Sequence, residues 1–202
     1  MKIRSLCAAT ALCTLAAASA AETEKKEADV KNPVVVMETS KGDIRIELLK
    51  NKAPETVENF LQYVEDDFYD GTVFHRVMSN FMIQGGGYTP DLREKKTRSP
   101  IRNEASRELK NERGTIAMAR TADPHSATSQ FFINVRDNAS LNFRSKTLRA
   151  YGYAVFGRVA RGMDVVDEIK SVDTTARGMH RNVPKEPVII EDVRVVSGED
   201  PS

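Results

Sequence analysis

Hydrophobic residues fall in short, mostly alternating runs along this chain, and only two stretches carry the spacing of a helix. Val34-Val35-Val36-Met37 and Ile44-Arg45-Ile46-Glu47-Leu48 are rich in strand-forming residues and flank Ser40-Lys41-Gly42-Asp43, a turn composition, so they predict an antiparallel pair. Pro54 then opens a helix in which Val57, Phe60, Leu61 and Val64 make one apolar face, ending near Asp66. Five further runs, at 72–77, 81–84, 114–119, 130–135 and 153–159, are bounded by Gly, Asn, Asp or Pro and read as strands. A second helix is expected over Met163 to Lys170, with Val165, Val166 and Ile169 on one side, and Val188 to Val196 supplies a last strand. The fold class is therefore mostly β: a closed eight-stranded antiparallel barrel capped by two α-helices.

The ends read differently. Lys2 and Arg4, an apolar run from Leu6 to Ala17 and the small residues Ala18-Ser19-Ala20 predict a signal peptide over 1–21, cleaved near Ala20 or Ala21. The apolar run is shorter than the about 20 residues a lasting membrane anchor needs. Residues 22–32 are charged and lack aromatics, the composition of a flexible lead-in, and the folded domain is placed at 33–197 with a tail at 198–202. Both cysteines, Cys7 and Cys13, lie in the signal, so the mature chain carries no thiol to mispair in an oxidising compartment, which suits a periplasmic or secreted protein.

Charge narrows the partners. Without Lys2 and Arg4 the 30 basic residues fall just below the 29 acidic ones, about −1 net, with no basic excess for nucleic acid. His75, His125 and His180 are scattered and have no cysteine partners, so no metal is expected, and His125 and His180 are read as loop residues. Gly85-Gly86-Gly87 is not followed by Gly-Lys-Ser/Thr and reads as a turn allowing close backbone approach, not a phosphate loop. Ser129 lacks the Gly-x-Ser-x-Gly setting of a nucleophile and is given a local hydrogen-bonding role, and Arg93 to Arg98 reads as a solvated loop. Asn138-Ala139-Ser140 matches a glycosylation sequon, relevant only to a eukaryotic secretory route.

The chemistry sits in three blocks: Phe74-His75-Arg76-Val77, Asn80 to Gly87, and Ser129-Gln130-Phe131-Phe132-Ile133-Asn134. Together with Thr115 to Ala119, Tyr153 to Gly157 and Gly162 to Val166 they occur in the order found in the cyclophilins, which the chain resembles from Val34 to Val196. The resemblance implies cofactor-free isomerisation of X-Pro bonds in proline-containing polypeptides during folding of exported proteins. It assigns catalysis to Arg76, the apolar proline pocket to Phe81, Met82, Phe132 and Leu141, and substrate contacts to Gln84, Gln130 and the Ala119 main chain. Arg120, Ser140 and Tyr153 occupy further binding positions where this chain departs from animal members, which carry asparagine, tryptophan and histidine there. Without the indole, weak cyclosporin binding is expected, and a monomer is expected. A binding module that captures proline segments as a chaperone is the alternative.

Strand alternation over 72–77 puts Phe74 and Arg76 on one face and Val73, His75 and Val77 on the other, with His75 in the core. It likewise sets Gln130 and Phe132 against Phe131 and Ile133. Phe81 and Gln84 have opposite parity, so a bend or bulge is required near Asn80 to Met82.

Overall fold

The computed structural model describes residues 32–196; the signal segment, the lead-in up to residue 31 and the tail lie outside the described residues. Its elements are β1 (Val34–Thr39), β2 (Gly42–Leu48), α1 (Pro54–Glu65), β3 (Thr72–Val73), β4 (Arg76–Met78), β5 (Met82–Gly85), β6 (Thr115–Met118) and β7 (Phe131–Asn134). A 3-10 turn at Ala139–Leu141 follows, then β8 (Val155–Arg161), α2 (Met163–Lys170), β9 (Thr174–Arg177), β10 (His180–Pro184) and β11 (Ile189–Val196).

Nine strands form one sheet in the order β3-β11-β1-β2-β8-β6-β7-β5-β4, while β9 and β10 pair separately. The sheet is an open half-barrel of nine strands, not the expected closed barrel of eight. The run at 72–77 is the cause. Its first part, Thr72–Val73, pairs with Ile190 and Ile189 of β11, and its last part, Arg76–Met78, pairs with β5, so one predicted strand supplies both edges. Between them the backbone leaves the ladder: Val73 N donates to Tyr88 O at 2.9 Å and Phe74 N to Val188 O at 3.0 Å.

Alternation fills the interior. Val35, Met37, Ile44, Ile46, Leu48, Ile83, Ile116, Ile133, Phe156 and Val193 point inward, and α1 lays Val57, Phe60, Tyr63 and Val64 against them, with Leu61 only partly buried. Phe60 is fully enclosed, its ring 5.0 Å from Tyr69 and 5.2 Å from Phe156, a burial that contributes about 1.5–3 kcal/mol. The first turn of α1 has no local side-chain cap; instead the Glu104 carboxylate accepts from Glu55 N at 3.2 Å and Thr56 N at 2.7 Å, opposite the positive end of the helix dipole. The helix α2 buries Val166 and Ile169. Gly162 before it has φ 88°, and a Cβ there would lie 2.3 Å from the Asp43 carbonyl oxygen, so only glycine fits.

The Arg93–Arg98 run is the largely exposed loop expected, held to the domain where Lys95 Nζ donates to the Phe68 carbonyl and Arg98 pairs with Asp66 and lies over the Tyr63 ring; one loop expectation changes. His180 belongs to a strand, β10, whereas His125 is in a loop, its Nδ1 accepting from Asn103 N at 3.1 Å.

Candidate functional site

Pairing across the sheet sets two neighbouring rows against each other. Val77, Ile83, Ile133, Ile116 and Gly157 lie opposite one another on consecutive strands and face the interior. The adjacent row is Arg76, Gln84, Phe132, Ala117 and Val155, and period-two alternation turns it to the outer face. There Met82, Ala117, Phe132 and Val155 form a small apolar cluster separate from the main core, with Met78, Phe81, Leu109, Ala119, Leu141 and Tyr153 packed on it.

This cluster floors a cavity of about 100 Å³, some three water volumes at ~30 Å³ each, walled by Arg76, Phe81, Met82, Gln84, Ala119, Arg120, Phe132, Leu141 and Tyr153. Nine of the residues singled out in the sequence meet here. Two stand apart: Gln130 reaches the site through Gln84, whose Nε2 donates to Gln130 Oε1 at 3.1 Å, and Ser140 is exposed on the 3-10 turn next to Leu141.

Phe81 belongs to the tight β4–β5 turn, where its N–H donates to Met78 O at 2.9 Å; Met82 and Gln84 then share a face on β5. The turn is the bend that the parity of Phe81 and Gln84 required. The parity read for 72–77 fails, because alternation restarts where the strand breaks. Phe74 is enclosed in the main core, 6.2 Å from Phe131, on the side opposite Arg76. His75 is buried as expected, its ring 4.6 Å from Tyr88, with no partner for Nδ1 among the described residues. Burial pushes its pKa down to about 4, helped by His180 and Arg76 nearby. On β7 alternation holds, with Phe131 and Ile133 inside and Phe132 outside.

Arg76 is steered rather than neutralised. Its Nη1 donates to Gln84 Oε1 at 3.3 Å and its Nη2 contacts Met78 Sδ at 3.2 Å, and no carboxylate pairs with it among the described residues. Arg120 is tied down, with Nε donating to Gly152 O at 3.1 Å, Nη1 to Thr121 O at 2.8 Å and the guanidinium 4.5 Å over the Tyr153 ring. Tyr153 in turn stands edge-on to Phe132 at 5.6 Å. Ala119 N donates to Gln130 O at 2.9 Å, which fixes Ala119 beside Gln130 at the cavity wall.

Sequence reasoning missed the support behind the pocket. Asn111, Asn134 and Asn138 are buried and joined: Asn138 Nδ2 donates to Asn134 Oδ1 at 2.7 Å and to Phe81 O at 2.8 Å, and Asn134 Nδ2 to Asn111 Oδ1 at 3.2 Å. The signal was an asparagine closing the otherwise apolar Phe131-Phe132-Ile133-Asn134, since a buried amide requires partners. The sequon asparagine is therefore engaged and buried in the fold. Ser129 Oγ, given a local bonding role, has no partner among the described residues, while the Ser129 carbonyl accepts from Tyr69 Oη at 3.0 Å.

Residues 34–195 match the family model described as cyclophilin type peptidyl-prolyl cis-trans isomerase/CLD. The chain belongs to this family. It is 59% identical over 162 residues to the peptidyl-prolyl cis-trans isomerase cyp18 of Streptomyces antibioticus, covering 80% of this chain and 98% of that protein. It is 58% identical over 162 residues to peptidyl-prolyl cis-trans isomerase B of Escherichia coli, covering 80% and 99%. A crystal structure of a Cryptosporidium parvum cyclophilin type peptidyl-prolyl cis-trans isomerase superposes with TM-score 0.69 at 26% identity, covering 84% of this chain and 99% of that one. The activity of this cyclophilin is peptidyl-prolyl cis-trans isomerisation of proline-containing peptides.

Proposed function

We propose that Arg76 performs the isomerisation by donating a hydrogen bond to the prolyl nitrogen as the amide twists, with the proline ring seated among Phe81, Met82, Phe132 and Leu141. Amide resonance sets a barrier of about 18–20 kcal/mol. Twisting frees the nitrogen lone pair, so a donor aimed at it binds the transition state better than either planar isomer. The observation that carries this reading is the placement of Arg76 at the rim of the apolar cavity, oriented by Gln84 and Met78 and paired with no carboxylate. Two of its five N–H groups are engaged, which leaves donors for a substrate carbonyl and for the twisting nitrogen. The Gln84–Gln130 pair and the Ala119 main chain hold the substrate backbone while the bond turns. No nucleophile, proton transfer or cofactor enters.

The setting we assign is the periplasm, where the enzyme acts as a monomer on proline-limited folding of exported proteins. The signal-like residues 1–21 and the absence of cysteine beyond Cys13 support it, and no helix among the described residues is long and apolar enough to cross a membrane. Cyclosporin binds weakly in this reading, because the exposed Ser140 offers no indole to the ligand.

Arg76→Ala in an NMR exchange assay on an X-Pro peptide tests the mechanism. A charge-assisted bond is worth about 1.5–3 kcal/mol, so kcat/KM falls at least about tenfold while peptide affinity changes less. A mutant as fast as wild type sinks the mechanism.

A further inference from the structure

The groove at Arg76 has a second arm that isomerisation does not use. Beyond Gln84 it continues past Tyr88 to His180, Arg181 and Asn182 of β10, enclosing roughly 440 Å³, and Arg76 and Gln84 wall both arms. Three consecutive residues of a regular strand cannot line one wall, because alternate side chains face opposite ways. Here the regularity is broken. The ladder pairs His180 with Arg177 and resumes at Val183 with Thr175, so β10 has one residue more than β9 between these pairs, and Asn182 takes φ 58°. A bulge of this kind re-aims side chains, and asparagine tolerates the left-handed backbone it needs.

The bulge delivers positive charge. Arg181 stands in the wall with Arg76, Arg177 lies across the ladder from His180, and neither Arg177 nor Arg181 has an ion pair among the described residues. Elsewhere Arg98, Arg113, Arg158 and Arg194 are each paired with a carboxylate. No carboxylate lines this arm among the described residues; Glu94 reaches it through Gln130, whose Nε2 donates to Glu94 Oε1 at 3.5 Å. Met179, 97% exposed at the tip of the β9–β10 hairpin, adds an apolar contact.

We propose that this arm is a specificity subsite for an acidic side chain near the proline of the polypeptide substrate, with Arg181 as its anchoring cation and the Asn182 amide as a second donor. The guanidinium fork suits a carboxylate, and a substrate chain advancing ~3.3 Å per residue can occupy both arms at once. The subsite rests on the reading of Arg76 as the catalytic centre, and the two are separable by experiment.

X-Pro peptides carrying Glu, Gln or Lys in turn at each of the two positions on either side of the dipeptide are compared by NMR exchange. At low salt one position shows kcat/KM for Glu about two- to fivefold above Gln, with Lys below Gln, the effect of an exposed charge pair. The preference shrinks in 1 M salt, where the Debye length is ~3 Å. Arg181→Gln, a substitution at an exposed residue, brings the Glu to Gln ratio to about one. A wild-type ratio of one at every position, or a ratio that survives Arg181→Gln, overturns the subsite. Full turnover by Arg76→Ala overturns the catalytic reading instead, and leaves the Glu to Gln ratio free to be measured.

Discussion

Replacing Asn138 with alanine separates the pocket's scaffold from its chemistry. Both N–H groups of the Asn138 amide are used, one on Phe81 O at 2.8 Å and one on Asn134 Oδ1 at 2.7 Å. Phe81 O keeps a second donor, Val135 N at 3.2 Å, whereas no other donor to Asn134 Oδ1 is present among the described residues. A buried acceptor left bare costs about 1–3 kcal/mol and a lost bond with a surviving partner about 1, so Asn138→Ala destabilises by about 3 kcal/mol. At ~2–4 °C per kcal/mol for a domain of this size, Tm falls roughly 6–12 °C. The amide chain also holds the opposite wall, since Asn111 Nδ2 donates to Leu141 O at 3.1 Å. Both walls loosen, KM rises, and kcat stays within about twofold because Gln84 and Met78 still orient Arg76. Asn138→Asp keeps the shape and sets carboxylate oxygens against two acceptors, which raises the folded-state pKa above the unfolded ~3.9. Its deficit is therefore smallest below about pH 4 and grows as pH rises toward the folded pKa. Calorimetry and NMR exchange kinetics decide: an alanine variant melting within about 1 °C of wild type, or one losing kcat at constant KM, refutes the scaffold.

Three other outcomes are expected. Gly86 has φ +80° and a Cβ there would meet the Phe131 ring at 2.7 Å, so Gly86→Ala adds backbone strain to overpacking and costs about 3 kcal/mol or more, read as Tm. His75, with a folded pKa of about 4 against 6.5 unfolded, binds its proton less readily when folded; stability is unaffected above pH 6.5 and falls as pH drops from 6.5 to 4, by up to about 3 kcal/mol. His75→Gln flattens that slope in urea titrations at pH 7 and pH 4.5, and an unchanged slope refutes the assignment. Ser140→Trp restores an indole at the rim and raises cyclosporin affinity at least about tenfold by calorimetric titration; equal affinity would place the rim elsewhere.

Periodicity carried most of the architecture. Where apolar residues repeat at strand or helix spacing, as in Ile44–Leu48, Phe131–Ile133 and Val165–Ile169, elements and inward faces follow from the spacing. It failed where hydrogen bonding, not hydrophobicity, decides. Phe74-His75 leaves the ladder because Phe74 N bonds Val188 O, and nothing in Thr72–Val77 marks that break. The β9–β10 hairpin, Thr174–Arg177 with His180–Pro184, is largely polar and exposed, so it offers no alternation to read. The pocket residues came from ordered blocks of the family pattern; the asparagine chain behind them has no such block, because Asn111, Asn134 and Asn138 meet only in three dimensions.

If the proposed site is where substrate binds, the short edge strand β4 accounts for its taking a protein chain. The interior of the half-barrel is packed with side chains and admits no substrate, so a polypeptide must lie on the outside. At β4 the last strand is three residues long and ends in a tight turn carrying Phe81, so a groove opens between that turn, the Arg76–Gln84–Phe132 row and the bulged β10. An exposed edge normally invites strand addition by other chains, and shortness and charge are the usual guards against it. In the proposed reading both guards belong to the site: Arg76 would keep the edge charged, and the three-residue length of β4, with β10 packed beside it, would keep a bound segment from zipping into the sheet. A segment that paired fully could not rotate about its prolyl bond, so a catalyst of rotation requires the edge to hold its substrate by pocket and side chain rather than by ladder.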